Sequence, residues 1–248
     1  MLTGSASQAW AIKTRGLTKS FGHRLALQGI DLQVRSGETM AILGPNGAGK
    51  TTLIKVVATI MNPSSGSVFI DGVPIKNNAE GIRSKMGVVT HQTFLYSNLT
   101  AYENLEFYSR MYDVPRTGGR IHQVLDMVGM ASQYFERVGN LSRGMQQRLS
   151  LARAVLHDPA IMLLDEPETG LDQESIAILR QILQAEGGGK RTAILTTHNL
   201  ERGFEFCDCL VILNKGKIVY QESAKALDLA GLKRVYQEYT GREHEILA

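Results

Sequence analysis

The sequence predicts an α/β fold in which a parallel sheet is preceded by an antiparallel β layer and interrupted by a helical insertion. Three observations predict it. A short apolar run at 38–43 leads through a glycine loop into a helical pattern at 53–60, strands and helices alternate from 161 to 213, and the stretch between them turns helical from Leu99 onward.

Residues 9–15 and 29–34 alternate apolar and polar side chains, as strands of an antiparallel layer do, and Phe21 falls in the turn Ser20-Phe21-Gly22 between them. An aromatic there is either a hydrophobic plug or, upstream of a phosphate loop, a face for an adenine ring. Strands follow at 67–71 and 86–90, with Pro63-Ser64-Ser65-Gly66 and Asp71-Gly72 as turns. Helical spacing then runs through 101–112, 116–128 and 145–157. Thr100 with Glu103 fits a capping box, and Ser142 an N-cap. The sheet resumes at 161–164, 192–196 and 209–213, with helices at 173–185 and 200–206 between. Gly187-Gly188-Gly189 reads as the end of a helix. The expected organisation is one domain over 1–248: a core from 1–92 and 158–222, a helical subdomain at 93–157 and a helical tail at 223–248.

Composition narrows the function classes. With 248 residues and 43% hydrophobic content the chain holds a sizeable core, and 27 basic against 24 acidic residues leave a net charge of +3, too small to argue for nucleic acid. No apolar run reaches the ~18 residues of a membrane span, and the first residues lack a signal-peptide pattern, so the chain is not expected to cross a membrane. Cys207 and Cys209 open an apolar run and read as buried, reduced thiols; two ligands do not close a zinc site.

Chemistry collects in two places. Gly44-Pro45-Asn46-Gly47-Ala48-Gly49-Lys50-Thr51-Thr52 matches G-x-x-x-x-G-K-[ST] between a strand and a helix. Its glycines let backbone N–H groups curl around phosphate oxygens, Lys50 would reach the β and γ phosphates, and the Thr51 hydroxyl is placed for Mg²⁺. Asp165 and Glu166 end a buried strand at the sheet edge where the phosphate loop also leaves. Asp165 would hold Mg²⁺, and Glu166 would orient and deprotonate the water that attacks the γ-phosphate. The other reading is a solvated strand end.

With Leu141-Ser142-Arg143-Gly144-Met145-Gln146-Gln147-Arg148 just before that acidic strand, the chain resembles the ATP-binding cassette ATPases over almost its whole length. The resemblance implies a P-loop NTPase (RecA-like) core that binds and hydrolyses ATP with Mg²⁺. It also implies residue roles: Phe21 stacks on adenine, Gln92 contacts Mg²⁺ or the attacking water, and His198 touches the γ-phosphate. Ser142 and Gly144 contact ATP held by a second copy, and Asp172, in Gly170-Leu171-Asp172, sits at the seam between the copies. The implied partners are that second copy and integral membrane permease subunits at the cytoplasmic face of the inner membrane. Two places depart from the family's pattern: Arg143 and Met145 replace the usual Gly and Gln of Leu-Ser-Gly-Gly-Gln, and Glu168 stands where a smaller or uncharged residue is usual. Ser142 and Gly144, the members that approach phosphate, are kept.

The segment from His91 to Leu105, with the signature, resembles the ATPase subunits of bacterial haem exporters of cytochrome c maturation, although exporters of drugs, polysaccharides or lipids share much of it. Phe94, Leu95 and Tyr96 either dock the permease or pack inside the helical insertion. A soluble cassette protein of translation or DNA repair would carry two cassettes or a long coiled-coil insertion, and a kinase would have no need of the signature.

Overall fold

Alternating apolar side chains build the first layer. β1 (Trp10–Phe21) turns through Gly22-His23 into β2 (Arg24–Ile30) and β3 (Gln33–Arg35), β4 (Thr39–Leu43) leaves for a second sheet, and β5 (Ser65–Ile70) with β6 (Val73–Pro74) returns. These strands pair antiparallel in the order β2-β1-β5-β6, with β3 also on β1. The structure, a computed structural model, describes residues 10–168, 172–184 and 191–241.

Three expectations for this layer are corrected. Phe21 is the last strand residue, paired with Arg24, because the turn needs only Gly22 and His23. The strand expected at 29–34 is broken at Asp31-Leu32, where side chains replace the ladder: Gly16 N–H donates to Asp31 Oδ1 at 2.7 Å and Leu32 N–H to Thr14 Oγ1 at 2.9 Å. Ser65 and Gly66, expected in a turn, belong to β5.

The second sheet adds β7 (Met86–Val89), β8 (Ile161–Asp165), β9 (Thr192–Thr197), β10 (Cys209–Asn214) and β11 (Lys217–Ser223) in the order β11-β10-β4-β9-β8-β7. All neighbours are parallel except β10 and β11. Both faces are covered, and the pleat shows how: Met40 and Ile42 of β4 enter one apolar cluster, Ala41 and Leu43 the other. The antiparallel β11 was not anticipated. Its turn residues Lys215 and Gly216 both take positive φ, the geometry of a tight hairpin, and the exposed edge strand shows only a weak apolar pattern.

The helices are α1 (Lys50–Val57), α2 (Ala79–Arg83), α3 (Ala101–Met111), α4 (Thr117–Met127), α5 (Arg143–Val155), α6 (Gln173–Leu183), α7 (Leu200–Phe206) and α8 (Leu229–Thr240). α1 begins at Lys50, ahead of the apolar pattern at 53–60, because its first turn is polar; it ends at Val57, and Thr59 lies at φ 59°. α2 and β6 are too short to leave a periodic signal. The capping box on α3 forms, with Glu103 N–H to Thr100 Oγ1 at 3.1 Å and Thr100 N–H to Glu103 Oε2 at 2.8 Å. Ser142 caps α5, accepting Met145 N–H at 3.3 Å.

Buried and half-buried polar groups tie the helical insertion together and to the sheet. Arg153 of α5 donates to the Val88 carbonyl at 2.6 Å, and Arg120 of α4 to the carbonyls of Val155 and Leu156 at 2.7 and 2.9 Å. His157 stacks on Tyr112 at 4.0 Å with Nε2 3.2 Å from the Met86 carbonyl oxygen. Both cysteines are free, Cys209 buried and Cys207 only half-buried, which corrects the expectation for Cys207. Burial pushes their thiols up, to about 12 for Cys207 and about 11 for Cys209. Among the described residues no helix is long and apolar enough to cross a membrane. The expected glycine run at 187–189 lies outside the described residues.

Candidate functional site

The phosphate loop is clamped from behind by backbone. A Cβ on Gly44 would stand 2.1 Å from the Leu213 carbonyl oxygen, and one on Gly49, at φ 111°, 2.5 Å from that of Ala26. Gly216 N–H donates to the Ala48 carbonyl at 2.8 Å, which turns that oxygen toward β10 and away from the loop's hollow. The N–H groups of the first turn of α1 have no intrahelical acceptor, so Lys50, Thr51 and Thr52 add donors and a positive helix end there. Lys50 Nζ donates to the Gly44 carbonyl at 2.7 Å and lies 3.9 Å from Glu166 Oε1. Burial lowers the Lys50 pKa from its usual value, and the carboxylates of Glu166, Asp165 and Glu168 oppose that shift.

Sheet order brings the acidic pair to the loop. β9 lies between β4 and β8, and its Thr196 joins the two. Asp165 Oδ1 accepts from Thr196 Oγ1 at 2.7 Å and from Thr51 Oγ1 at 3.1 Å, while Asp165 Oδ2 is buried with no hydrogen-bond partner among the described residues. A buried carboxylate oxygen without a partner, beside a hydroxyl on a phosphate loop, fits a hard divalent cation.

Glu166 follows at φ 49°, its N–H held by the Thr196 carbonyl at 3.0 Å. Its carboxylate is mostly buried, at 15% exposure, with His198 Nδ1 at 3.4 Å and His91 Nε2 at 3.8 Å from Oε2. Glu168 is not a surface side chain: it is half-buried and accepts from Thr197 Oγ1. Burial raises its pKa, and the Thr197 hydroxyl and its own backbone N–H pull the other way.

Three cavities divide the predicted residues. Phe21, Arg24, His91 and Glu166 line one of ≈ 470 Å³ with the loop from Asn46 to Thr52, so Phe21, 49% exposed, shares a wall with the phosphate loop. Gln92 lines a cleft of ≈ 680 Å³ with Phe94, Arg143, Gln146, Gln147 and Glu166. Ser142 and Gly144 line a third, of ≈ 230 Å³, with Arg148, Asp172 and Ser175. Within one copy, therefore, Phe21, the loop, Asp165, Glu166 and His198 are brought together, Gln92 joins them through the shared walls His91 and Glu166, and Ser142 and Gly144 stand apart.

Asp172 caps α6, accepting from Ser175 N–H at 2.9 Å and Ser175 Oγ at 2.6 Å, and from Arg148 at 2.7 Å. Those Ser175 bonds, with Arg148 behind them, hold its pKa down to about 2. Of the apolar trio, Phe94 and Tyr96 are exposed, at 40% and 47%, whereas Leu95 packs against the core. Tyr108 Oη donates to the Phe94 carbonyl, and the Arg153 guanidinium lies 5.5 Å from the Phe94 ring centroid.

Sequence reasoning missed Arg24, His91, Thr196 and Thr197. His91 adjoins Gln92 and carried that much signal. The threonines carried none, because their role comes from β9 lying between two strands that are distant in sequence.

A family model described as ABC transporter matches residues 27–169. The chain is 35% identical to the ABC transporter ATP-binding protein NatA of Bacillus subtilis, over 82% of this chain and 83% of the relative. It is 33% identical to the Nod factor export ATP-binding protein I of Burkholderia orbicola, over 87% of this chain and 72% of that one. Among solved structures, the dimeric post-hydrolysis state of the ATP-binding cassette MJ0796, bound to ADP and Pi, superposes with a TM-score of 0.77 at 28% identity, covering 86% of this chain and 98% of that one.

Proposed function

The chain belongs to the ABC transporter family as an ATP-hydrolysing, ATP-binding subunit, and from that premise we propose that two copies close head to tail around ATP to drive export through a membrane permease. The separation of Ser142 and Gly144 from the phosphate loop within one copy carries this reading, since in a head-to-tail pair each site would be completed by the other copy's signature. The dimeric neighbour with ADP and Pi supports it. In such a closed pair the Ser142 hydroxyl and the N-terminus of α5 would add donors where phosphoryl charge spreads, and the two copies would shut out water.

Phe21 would stack on adenine, the loop would cradle the phosphates, and Glu166 would take the proton of the attacking water, with His198 and Gln92 beside it. Mg²⁺ would be held by Thr51 and Asp165, with Gln92 completing the set, and would neutralise phosphate charge. The protein would sit at the cytoplasmic face of the cell membrane, attached through its permease.

Export is the direction favoured by the Nod factor relative. For the cargo, haem for cytochrome c maturation rests on the segments around Gln92 and Ser142 alone, and neither relative described above is named as a haem exporter; a drug, polysaccharide or lipid exporter fits the same residues. Cargo selection belongs to the permease.

The test is Glu166→Gln, which keeps the side chain's size and removes the proton acceptor. Turnover is expected to fall by about 10²–10⁴. With ATP and Mg²⁺ the variant is expected to accumulate as a dimer by light scattering, and adding Ser142→Arg is expected to prevent it. A Glu166→Gln chain that remains monomeric at saturating ATP would refute the closed pair.

A further inference from the structure

The resemblance to the family leaves Glu168 unassigned, because the position usually holds a smaller or uncharged residue. Here its carboxylate accepts a hydrogen bond from Thr197 Oγ1, which joins the loop after β8 to the last residue of β9. Thr197 is fully buried, at 0% exposure, and the same hydroxyl accepts the Asn199 N–H at 2.9 Å, closing a tight turn around His198. The His198 side chain is 51% exposed, so packing does little to fix its ring, and its place depends on that turn. The loop after β8 therefore carries Glu166 and Glu168, and Glu168 grips the threonine that ends β9, directly before His198.

We propose that Glu168 is a positioning residue: by holding Thr197 it braces the turn that bears His198 and so sets the 3.4 Å approach of the imidazole to the Glu166 carboxylate. A second brace, the Glu166 N–H on the Thr196 carbonyl at 3.0 Å, fixes the backbone on the other side of the contact. Glu168 acts through Thr197. The inference rests on the roles proposed above for Glu166 and His198.

The experiment is steady-state hydrolysis of Mg²⁺-ATP by the full chain and its variants, each first checked for folding by circular dichroism. Glu168→Ala is expected to lower kcat by about 10-fold to about 10²-fold, the cost of misplacing a reacting group, while KM for ATP stays within about twofold because the Lys50 hydrogen bonds to the Gly44 and Pro45 carbonyls do not involve Glu168. Glu168→Gln keeps an oxygen acceptor for the Thr197 hydroxyl and is expected to recover kcat to within about threefold of wild type. Thr197→Val removes the donor and is expected to reproduce the Glu168→Ala deficit, and the double variant to add nothing further.

In a His198→Ala background, Glu168→Ala is expected to cost nothing more. An undiminished deficit in that background, or a Glu168→Gln protein as slow as Glu168→Ala, would overturn this proposal alone. Wild-type turnover by His198→Ala would overturn the role given to His198 and this proposal with it.

Discussion

Acid is expected to loosen the helical insertion from the sheet through His157. The ring lies between Tyr112 of the insertion and the Met86 carbonyl of β7, with Nδ1 buried and without a partner among the described residues. Burial is the largest cause that lowers its pKa, with the charges of Arg153 and Arg120 helping and the Met86 carbonyl and Asp158 opposing, and it falls from 6.5 to about 4. The folded state thus binds this proton less readily than the unfolded chain does. Its contribution is fully present above the unfolded pKa of 6.5 and is lost as pH falls toward about 4.

With those two values, lowering pH from about 7.5 to about 5 removes about 2 kcal/mol of folding stability from this group, out of about 3 kcal/mol over its whole range. Urea unfolding of wild type and His157→Phe at the two pH values isolates it, since every other titrating group is common to both proteins. The phenylalanine keeps the stack on Tyr112 and cannot take a proton, so the stability difference between the two proteins should change by about 2 kcal/mol in favour of the variant at the lower pH. Parallel pH dependences would refute the reasoning.

Three further outcomes are expected. Lys50→Ala should lose measurable ATP binding by equilibrium titration while keeping its circular dichroism; unchanged affinity would show that the phosphate loop is not the anchor. Phe21→Ala should weaken ATP binding by about threefold to tenfold, the equivalent of about 0.5–1.5 kcal/mol of ring stacking, and should leave inorganic phosphate competition unaltered. Phe94→Glu with Tyr96→Glu should release the permease in a copurification assay without changing ATP affinity; a lowered melting temperature with lost ATP binding would instead assign the two rings to packing.

What was legible in the sequence was local. The glycine loop, the acid pair after an apolar strand, the Thr100–Glu103 box and the Ser142 cap each need only neighbours within a few residues, so spacing alone specified them. What was not legible depended on pairing across distance. The break at Asp31-Leu32 arises because Thr14 and Asp31 offer side-chain partners that outcompete the ladder. Thr196 reaches Asp165 only because β9 lies beside β8 in the sheet. Glu168 stood out in the sequence only as a departure from the family's pattern, and its partner became visible when β9 brought Thr197 against it.

The left-handed backbone of Glu166, at φ 49°, has an evolutionary consequence. A glutamate there is disfavoured by about 1–2 kcal/mol relative to a residue without a Cβ, and it crowds further negative charge near Asp165 and Glu168. On the role proposed for Glu166, Glu166→Gly would relieve both and remove the proton acceptor in the same step. Selection for heat resistance alone would then enrich dead chains at this position, so the glutamate persists only where survival is scored by work done. Any directed-evolution campaign on this protein must read turnover beside thermal tolerance, or it will be rewarded with stable proteins that do nothing.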